Sequence, residues 1–137
     1  MVKLDRKIKE KLFLEAIRVR ENAYAPYSNY KVGSALLTDT GEIFSGCNVE
    51  NASFGLTVCA ERNAIANAVV EGKKKFIAIL VLTQDEEPGT PCGACRQVIS
   101  EFFNPDAVVL LANTSGIKKE ILVSELLPQP FKFKKSL

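Results

Sequence analysis

The chain has 137 residues, of which 47% are hydrophobic and 25% charged, a composition typical of a globular protein, and we expect one domain over residues 1–137. Lysine and arginine number 18 against 16 acidic residues, and this near balance argues against a nucleic-acid partner. No apolar run approaches the ~18 residues that a membrane span needs, and the N-terminus has no signal core, so we expect a cytoplasmic protein without membrane segments.

The N-terminal part of the chain predicts one helix followed by a hairpin. Apolar residues recur at helical spacing from Leu4 to Val19, which predicts an amphipathic helix ending near Asn22. A loop over residues 23–30 comes next. Two segments with strand character, 32–37 and 42–49, flank a turn at residues 39–41 and predict a β-hairpin.

The rest of the chain alternates predicted helices with apolar strands. These elements are an alanine-rich helix over about residues 58–71 closed by Gly72, a buried strand over 76–82, a second helix from Cys92 that stops at Asn104-Pro105, a buried strand over 107–111 and a short edge strand near Ile121. Together they predict an α/β fold, a three-layer α/β/α arrangement with a mixed five-stranded sheet.

Three cysteines and one glutamate form the most informative pattern in the sequence. Cys59 is followed two residues later by Glu61, and Cys92 and Cys95 lie about thirty residues beyond, while the chain has no histidine. Thiolates are strong zinc ligands, and three protein ligands leave the fourth position of a tetrahedral zinc ion open, as in catalytic sites. Such an ion with a carboxylate beside it supplies the groups that metal-assisted hydrolysis requires.

The positions of these residues on the predicted helices support a shared metal site. Both ligand segments lie at predicted helix N-termini, where the helix dipole favours thiolate over thiol. Three thiolates leave the zinc site with net negative charge. Arg62, three residues after Cys59, is spaced so that its guanidinium can donate to a ligand sulfur and offset that charge.

Cys47, the fourth cysteine, leaves two alternatives open. Four cysteines can form two disulfides in a secreted protein, although the lack of a signal segment favours reduced thiols that bind metal. Cys47 could also be a fourth zinc ligand, in which case the site would be closed and structural. We expect it instead to be a small buried hydrophobic residue, on the strand face opposite Asn48 and Glu50.

Several segments resemble the cytidine deaminase family. The segments CAE at 59–61 and PCGAC at 91–95 match the three-cysteine variant of the zinc-dependent nucleobase deaminase signature. The run GCNVENASF at 46–54 resembles the ribose-binding segment of cytidine deaminase, and YAPYS at 24–28, CRQVI at 95–99 and ELLP at 125–128 resemble further segments in the same order. The resemblance spans roughly residues 10 to 131 and is to the small, homotetrameric, three-cysteine form.

The resemblance implies hydrolytic deamination of cytidine and deoxycytidine in pyrimidine salvage, with one zinc ion per chain. In that reaction Glu61 moves protons between water, N3 of the pyrimidine and the departing amino group. Asn48 and Glu50 resemble the pair that binds the ribose 3′-hydroxyl, although a polar loop after a strand would look the same.

The resemblance also implies further contacts to the substrate. Ala60 belongs to the substrate-binding set. Tyr30 stands where the family has a Phe that packs against the pyrimidine, and Phe54 stands where relatives often have Tyr near the nucleoside. Phe131 resembles an aromatic residue donated to a neighbouring subunit's pocket. Ordinary core packing is an alternative for each aromatic side chain.

Two other functions remain open from the residues. One is a related deaminase acting on another base, such as adenine in tRNA, guanine or blasticidin S, although the tRNA enzymes resemble His-Ala-Glu where this chain has Cys59. The other is a non-catalytic zinc-stabilised domain that uses Cys47. Two C-x-x-C segments are usual in that class, and this chain has one.

Overall fold

A computed structural model describes residues 2–133 of the chain. Its elements are the helices α1 (Arg6–Arg20), α2 (Ala60–Val70), α3 (Gly93–Phe102) and α4 (Val123–Leu126), the strands β1 (Gly33–Thr38), β2 (Ile43–Cys47), β3 (Phe76–Leu82), β4 (Phe103–Asn113) and β5 (Gly116–Leu122), and a 3-10 turn at Phe54–Leu56. Among the described helices, none combines the length and the apolarity that crossing a bilayer requires.

The five strands form one mixed sheet in the order β2-β1-β3-β4-β5. β1 pairs antiparallel with β2 and β3, β3 pairs parallel with β4, and β5 is antiparallel to β4 at the other edge. The parallel pair needs a crossover connection, which α3 supplies. The predicted mixed five-stranded sheet is therefore confirmed.

Two apolar cores lie on opposite faces of the sheet. On one face α1 packs through Leu12 and Ala16 against residues such as Leu37 and Leu80. On the other face α2, α3 and α4 pack against alternate residues of the same strands, as Ile65 of α2 and Ile99 of α3 illustrate. This arrangement confirms the predicted three-layer α/β/α fold, and it places α2 and α3 side by side on one face.

Gly46 fixes the position of α2 on the sheet. A Cβ atom at Gly46 would lie 2.4 Å from the backbone N of Ala64 and 2.8 Å from the carbonyl O of Ala60. Real Cβ atoms do not approach backbone atoms so closely, so only glycine lets the first turns of α2 rest directly on β2. The start of α2, which follows Cys59, is thereby held against the sheet.

The predicted boundaries differ from the structure mainly after α3. The helix was predicted to stop at Asn104-Pro105, with a strand over residues 107–111. Instead α3 ends at Phe102, and β4 runs directly from Phe103 to Asn113. The pairing with β3 shifts register between Phe76 and Ala78, and residues 104–106 are exposed. Such an irregular strand start tolerates a proline, which has no N–H to donate to the ladder.

Three smaller differences concern the ends of the chain. The first helix ends at Arg20 rather than near residue 22. The edge strand predicted near Ile121 extends over Gly116–Leu122. Its full length does not show in the hydrophobic pattern because several of its residues are polar and exposed. The short helix α4 was not predicted. None of these differences alters the layers or the strand order.

Candidate active site and metal centre

The structure brings the side chains of Cys59, Cys92 and Cys95 together at the tips of two helices. Cys59 is the N-cap residue of α2, Cys92 is the N-cap residue of α3, and Cys95 lies in the first turn of α3. All three sulfur atoms lie within 4.8 Å of one another, and the Sγ atoms of Cys59 and Cys92 are 3.8 Å apart. Adjacent helices on one face of the sheet therefore present three soft ligands to a single point.

The electrostatics of the cluster favour thiolate at one position. Hydrogen bonding from Cys95, with further donation from Arg62 and Cys92, lowers the pKa of Cys59 to about 5 against the opposing effect of burial. The pKa of Cys95 is raised, because its proton is held in the bond to Cys59 and because the thiol is buried. Three sulfurs that compete for protons at two helix N-termini form a donor set that fits a zinc ion.

Arg62 makes the contact that its spacing from Cys59 predicts. Its Nη2 donates to the Sγ of Cys59 at 3.5 Å and to the carbonyl O of Thr57 at 3.4 Å. Its Nε is buried and has no hydrogen-bond partner within residues 2–133. A positive charge thus lies against the Cys59 sulfur and close to that of Cys95, where it offsets negative charge that the ligands accumulate on deprotonation.

Glu61 is almost fully buried beside the metal ligands. Its side chain is 4% exposed, and it lies in the first turn of α2. Burial raises the pKa of Glu61 to about 7, helped by the nearby Cys59 sulfur and opposed by hydrogen bonding from its own backbone N–H. Arg62 and Cys95 offset this shift only in part, and a buried carboxyl in a cavity with a strongly shifted pKa is typical of functional sites.

One cavity joins the metal ligands to most of the predicted substrate-binding residues. Its volume is about 390 Å³, which suits a small ligand. Its lining includes seven residues singled out in the sequence: Tyr30, Asn48, Glu50, Cys59, Ala60, Glu61 and Cys92. Cys95 is buried beneath the cavity, and Arg62 is bonded to Cys59 beside it.

The polar side chains at the opposite end of the cavity already hold the backbone of the neighbouring loop. Asn48 accepts a hydrogen bond from the N–H of Val32 at 2.9 Å and donates to the carbonyl O of Tyr30 at 2.7 Å. Glu50 accepts from the N–H groups of Tyr27 and Ser28 at 3.0 and 3.1 Å, and from the Ser28 hydroxyl. The Ser28 hydroxyl and these two N–H groups hold the pKa of Glu50 below its usual value, so the residue is ionised.

Tyr30 has a hydroxyl partner that the sequence did not identify. Its Oη donates to the Oδ2 of Asp85, in the loop between β3 and α3. Burial and this hydrogen bond raise the pKa of Tyr30, so the phenol keeps its proton. The ring lines the cavity while the hydroxyl reaches its rim.

Phe54 and Phe131 do not line this cavity. Phe54 is 74% exposed and packs edge-on against Tyr27, with ring centroids 6.0 Å apart, in an adjoining depression that Glu50 also lines. Phe131 is 73% exposed, and its backbone is held by Gln97, whose Nε2 donates to the Phe131 carbonyl at 2.9 Å while its Oε1 accepts from the Phe131 N–H at 3.2 Å. Both rings are therefore not part of a packed core within residues 2–133.

Cys47 lies apart from the other cysteines. It lines a different depression with Arg18 and Asn63, and the metal-ligand cluster found within the described residues does not include it. All four cysteines are free thiols, so the structure contains neither of the two disulfides considered. Cys47 is half-buried, and the expectation of a fully buried residue was wrong, because β2 is an edge strand whose end is only partly covered.

The cavity also contains residues that sequence reasoning missed. These are Ser28, Thr57, Thr83, Gly89 and Thr90, together with the apolar residues Val32 and Val81. Thr57 and Thr90 each precede a metal-ligating cysteine by two residues, and Thr83 directly follows β3. Closeness in sequence to a ligand cysteine or to a strand end is the signal that could have identified these threonines, since a polar residue beside a ligand at a strand or helix end faces the same site.

Comparisons with known proteins agree with this geometry. The family model described as "Cytidine and deoxycytidylate deaminase zinc-binding region" matches residues 6–112. A cytidine deaminase of Halalkalibacterium halodurans is 50% identical over 123 residues, covering 90% of this chain and 93% of the relative. A cytidine deaminase of Sporosarcina psychrophila is 48% identical over 122 residues, covering 89% and 90%.

A solved structure shows that the fold is shared as well. The crystal structure of cytidine deaminase from Burkholderia pseudomallei superposes with a TM-score of 0.85 at 48% identity, over 89% of this chain and 98% of that one. The family match covers more than half of the chain, and the two relatives are 50% and 48% identical over about nine tenths of it. The chain therefore belongs to the cytidine and deoxycytidylate deaminase family.

Proposed function

We propose that this protein catalyses the zinc-dependent hydrolytic deamination of cytidine and 2′-deoxycytidine to uridine and 2′-deoxyuridine, with release of ammonia, in pyrimidine salvage. The observation that carries the proposal is the buried carboxyl of Glu61, which shares a cavity with the thiols of Cys59 and Cys92 at one end and with Asn48 and Glu50 at the other. The names of the similar enzymes support the same reaction.

Cys59, Cys92 and Cys95 would hold one zinc ion per subunit, and the ion would supply the Lewis acidity that activates water for hydrolysis. Arg62 stabilises the deprotonated ligand set through its contact with Cys59. Cys59 and Cys92 line the cavity, whereas Cys95 is buried, so the ion that these three residues would hold would be bound at the cavity wall.

Glu61 is the proton carrier in the proposed reaction. From the first turn of α2 its carboxylate takes a proton from the water that adds to C4 and delivers this proton to N3 of the pyrimidine. It then carries the proton of the new C4 hydroxyl to the amino group, so that C4=O forms while the C4–N bond breaks and ammonia leaves. Burial excludes bulk water from this carboxyl, so protons move between the reacting groups rather than to solvent.

The backbone at the start of α2 can orient the base. Ala60 is the first residue of the helix, and the first N–H groups of a helix have no partner within the helix. The Ala60 N–H at the cavity wall can therefore donate to the carbonyl oxygen of the pyrimidine ring. The Tyr30 ring supplies an aromatic face for the base.

Asn48 and Glu50 would bind the sugar. The carboxylate oxygens of Glu50 have acceptor sites beyond those used by residues 27 and 28, and the amide of Asn48 has one free N–H and one free lone pair. Both groups are held in place by the loop before substrate arrives, so they lose little freedom when a ribose hydroxyl binds.

An assay of turnover together with metal content tests the proposal. The purified protein should convert cytidine and deoxycytidine with loss of ultraviolet absorbance, and it should be inactive on adenosine and guanine. Cys59→Ala should abolish both zinc binding and turnover, whereas Cys47→Ala should retain one zinc per chain, because Cys47 lies outside the cluster. Loss of zinc in the Cys47→Ala control, or turnover of adenosine in place of cytidine, would overturn the proposed function.

We also propose that the active form is a cytoplasmic homotetramer in which neighbouring subunits complete each pocket. Phe131 is exposed and its backbone is held rigidly by Gln97, which suits a side chain that inserts into another copy. The exposed pair Tyr27 and Phe54 lies beside the cavity and is also left to be covered. Four free thiols fit a reducing compartment.

Subunit mixing tests the assembly. We expect a mass of roughly 60 kDa, four times the 15.0 kDa chain. Phe131→Ala should keep its zinc but bind cytidine more weakly. Mixed assemblies of Phe131→Ala and Glu61→Gln subunits should regain activity, because an intact Glu61 pocket can take Phe131 from the other parent. A fully active monomer in sedimentation and assay at the same concentration is incompatible with this proposal.

A further inference from the structure

The loop of residues 84–90, which we call the rim loop, borders the cavity between β3 and α3. Gly89 and Thr90 of this loop line the cavity, together with Thr83 just before it. The N–H of Gly89 donates to the Thr83 hydroxyl at 2.9 Å. The loop then leads directly into the metal-ligand segment that begins at Cys92, so its position bears on the whole wall of the cavity.

The two ends of the rim loop are anchored by residues outside it. At its start, Nδ2 of Asn113 donates to the carbonyl oxygens of Asp85 and Glu86, at 3.3 and 2.7 Å. At its end, Nη2 of Arg96 donates to the hydroxyl of Thr90 at 3.0 Å. These anchors attach the loop to β4 and to α3. At the start of the loop, Oε1 of Gln84 also accepts long hydrogen bonds from the N–H of Lys31 at 3.4 Å and from Nη2 of Arg20 at 3.5 Å.

Tyr30 makes a second and shorter attachment between the rim loop and the segment of residues 30 and 31. Its hydroxyl donates to the Oδ2 of Asp85, and a Cβ atom built on Gly89 would lie 3.5 Å from the same hydroxyl. The phenol therefore bonds one residue of the rim loop and lies within van der Waals distance of another, Gly89. Its own backbone is fixed in turn by Asn48, which accepts from and donates to residues 32 and 30.

We propose that Tyr30 and Asp85 form a latch that positions the rim loop over the cavity and thereby sets the affinity for the nucleoside. The inference rests on the proposed function, because it concerns the same cavity. Tyr30 thus has two separable parts: its ring forms the aromatic wall, and its hydroxyl holds the loop. Asp85 acts through Tyr30 as a positioning residue, since it touches the rim and not the reacting groups.

Hydrogen–deuterium exchange of the zinc-loaded full-length protein tests the latch without reference to catalysis. In Tyr30→Phe and in Asp85→Ala the amides of residues 84–90 should exchange faster than in the wild type. Asp85→Asn retains an acceptor oxygen, so its exchange should stay near the wild type. Glu87→Ala is the matched control, since Glu87 is an exposed carboxylate in the same loop and its side chain has no hydrogen bond within the described residues.

Steady-state kinetics test the consequence for substrate. Loss of one hydrogen bond should raise KM for cytidine about 2- to 12-fold in Tyr30→Phe and in Asp85→Ala, with little change in kcat. The double variant Tyr30→Phe/Asp85→Ala should be no worse than either single variant, because both remove the same bond. Asp85→Asn should largely restore KM.

Each contrary result would overturn the latch. Equal effects of Asp85→Asn and Asp85→Ala would show that the carboxylate acts through its charge. Additive effects in the double variant would show that the two residues act separately. Unchanged exchange of the rim loop, or unchanged KM despite faster exchange, would also refute the inference. Failure of the proposed function would appear separately, as a wild-type protein without turnover but with the same exchange pattern.

Discussion

At one end of the cavity Cys59 and Cys92 cap two helices that rest on the sheet, and Glu61 lies buried between them. At the other end Asn48 and Glu50 follow an edge strand, and their side chains form hydrogen bonds with the backbone of residues 27 to 32. We refer to these as the metal end and the loop end. The metal end is held in place by packing of whole helices, whereas the loop end is held by its own functional side chains.

This difference has consequences for mutagenesis. At the metal end a side chain can be replaced while the helices still rest on the sheet through Gly46 and the apolar core. At the loop end the same substitution removes a partner of the substrate and also a support of the loop. Substitutions at the metal end should therefore change turnover without changing the local structure. Substitutions at the loop end should change both substrate binding and the order of the loop.

The largest expected effect is at the metal end, in Glu61→Gln. The variant should fold, retain one zinc per chain and lose at least about 10²- to 10⁴-fold in turnover, since general acid–base catalysis contributes that much for a single proton transfer. Circular dichroism, metal analysis and single-turnover kinetics measure the three quantities. Near-normal turnover would remove Glu61 from the mechanism, and loss of zinc would show that the metal end is not held independently of its side chains.

An intermediate effect is expected at the loop end, in Asn48→Ala and Glu50→Ala. Loss of a hydrogen bond to a charged group should lower kcat/KM for cytidine about 10- to 150-fold for Glu50→Ala, with a much smaller loss for free cytosine, which has no sugar. Amide exchange over residues 27–32 should rise in the same variants. Equal losses for cytosine and cytidine would refute the assignment to the sugar.

Glu50→Gln serves as the control for that prediction. It keeps one oxygen to accept from the N–H groups of Tyr27 and Ser28, but it loses the negative charge and the second acceptor oxygen. If loop order is the main role, the variant should resemble the wild type in both exchange and kcat/KM. If binding of the hydroxyl is the main role, exchange should stay normal while kcat/KM falls, which would sharpen the distinction between the two ends.

The smallest effect is expected at Glu42. This carboxylate accepts hydrogen bonds from hydroxyl groups, as Glu50 does, but it lies outside the cavity. It accepts from the hydroxyls of Thr38 and Thr40, and these bonds, with Lys73 also donating, lower its pKa from 4.5 to about 2. Because the folded-state pKa is lowered, its contribution to stability is complete above pH 4.5 and disappears as the pH falls towards 2.

Urea unfolding of the wild type and Glu42→Gln at pH 7 and pH 4 checks this prediction. The variant should have a slightly lower midpoint at pH 7, a smaller difference at pH 4 and unaltered turnover of cytidine. A stability difference that does not depend on pH would mean that ionisation of Glu42 contributes nothing. Impaired turnover would mean that carboxylate supports outside the cavity matter as much as those at the loop end.

The extent to which the sequence predicted the site follows the same division. The metal end could be read from local pattern, because Cys59 and Cys92 each begin a helix and Cys95 is one turn further on. Helix starts are marked by short-range signals, and three cysteines without histidine restrict the ligand set. The contact of Arg62 with Cys59 also followed from spacing within one helical turn.

Contacts between loops could not be predicted in this way. The bond from Tyr30 to Asp85 joins residues 55 positions apart, and the clamp of Gln97 on Phe131 joins residues 34 positions apart. No sequence spacing predicts either contact, because both contacts depend on how the loops fold back over the sheet. The threonines that line the cavity are a different case, because Thr57 and Thr90 lie two residues before ligand cysteines and this spacing was an available signal.

The sequence by itself determined the layers, the five strands and the cysteine cluster, because hydrophobic periodicity and helix-start chemistry act over a few residues. The tertiary structure alone decided that β4 runs through Pro105, that Gly46 admits the backbone of α2, and that the cavity joins the metal end to the loop end. These features arise where segments distant in the chain meet, and there packing and hydrogen-bond satisfaction override local preference.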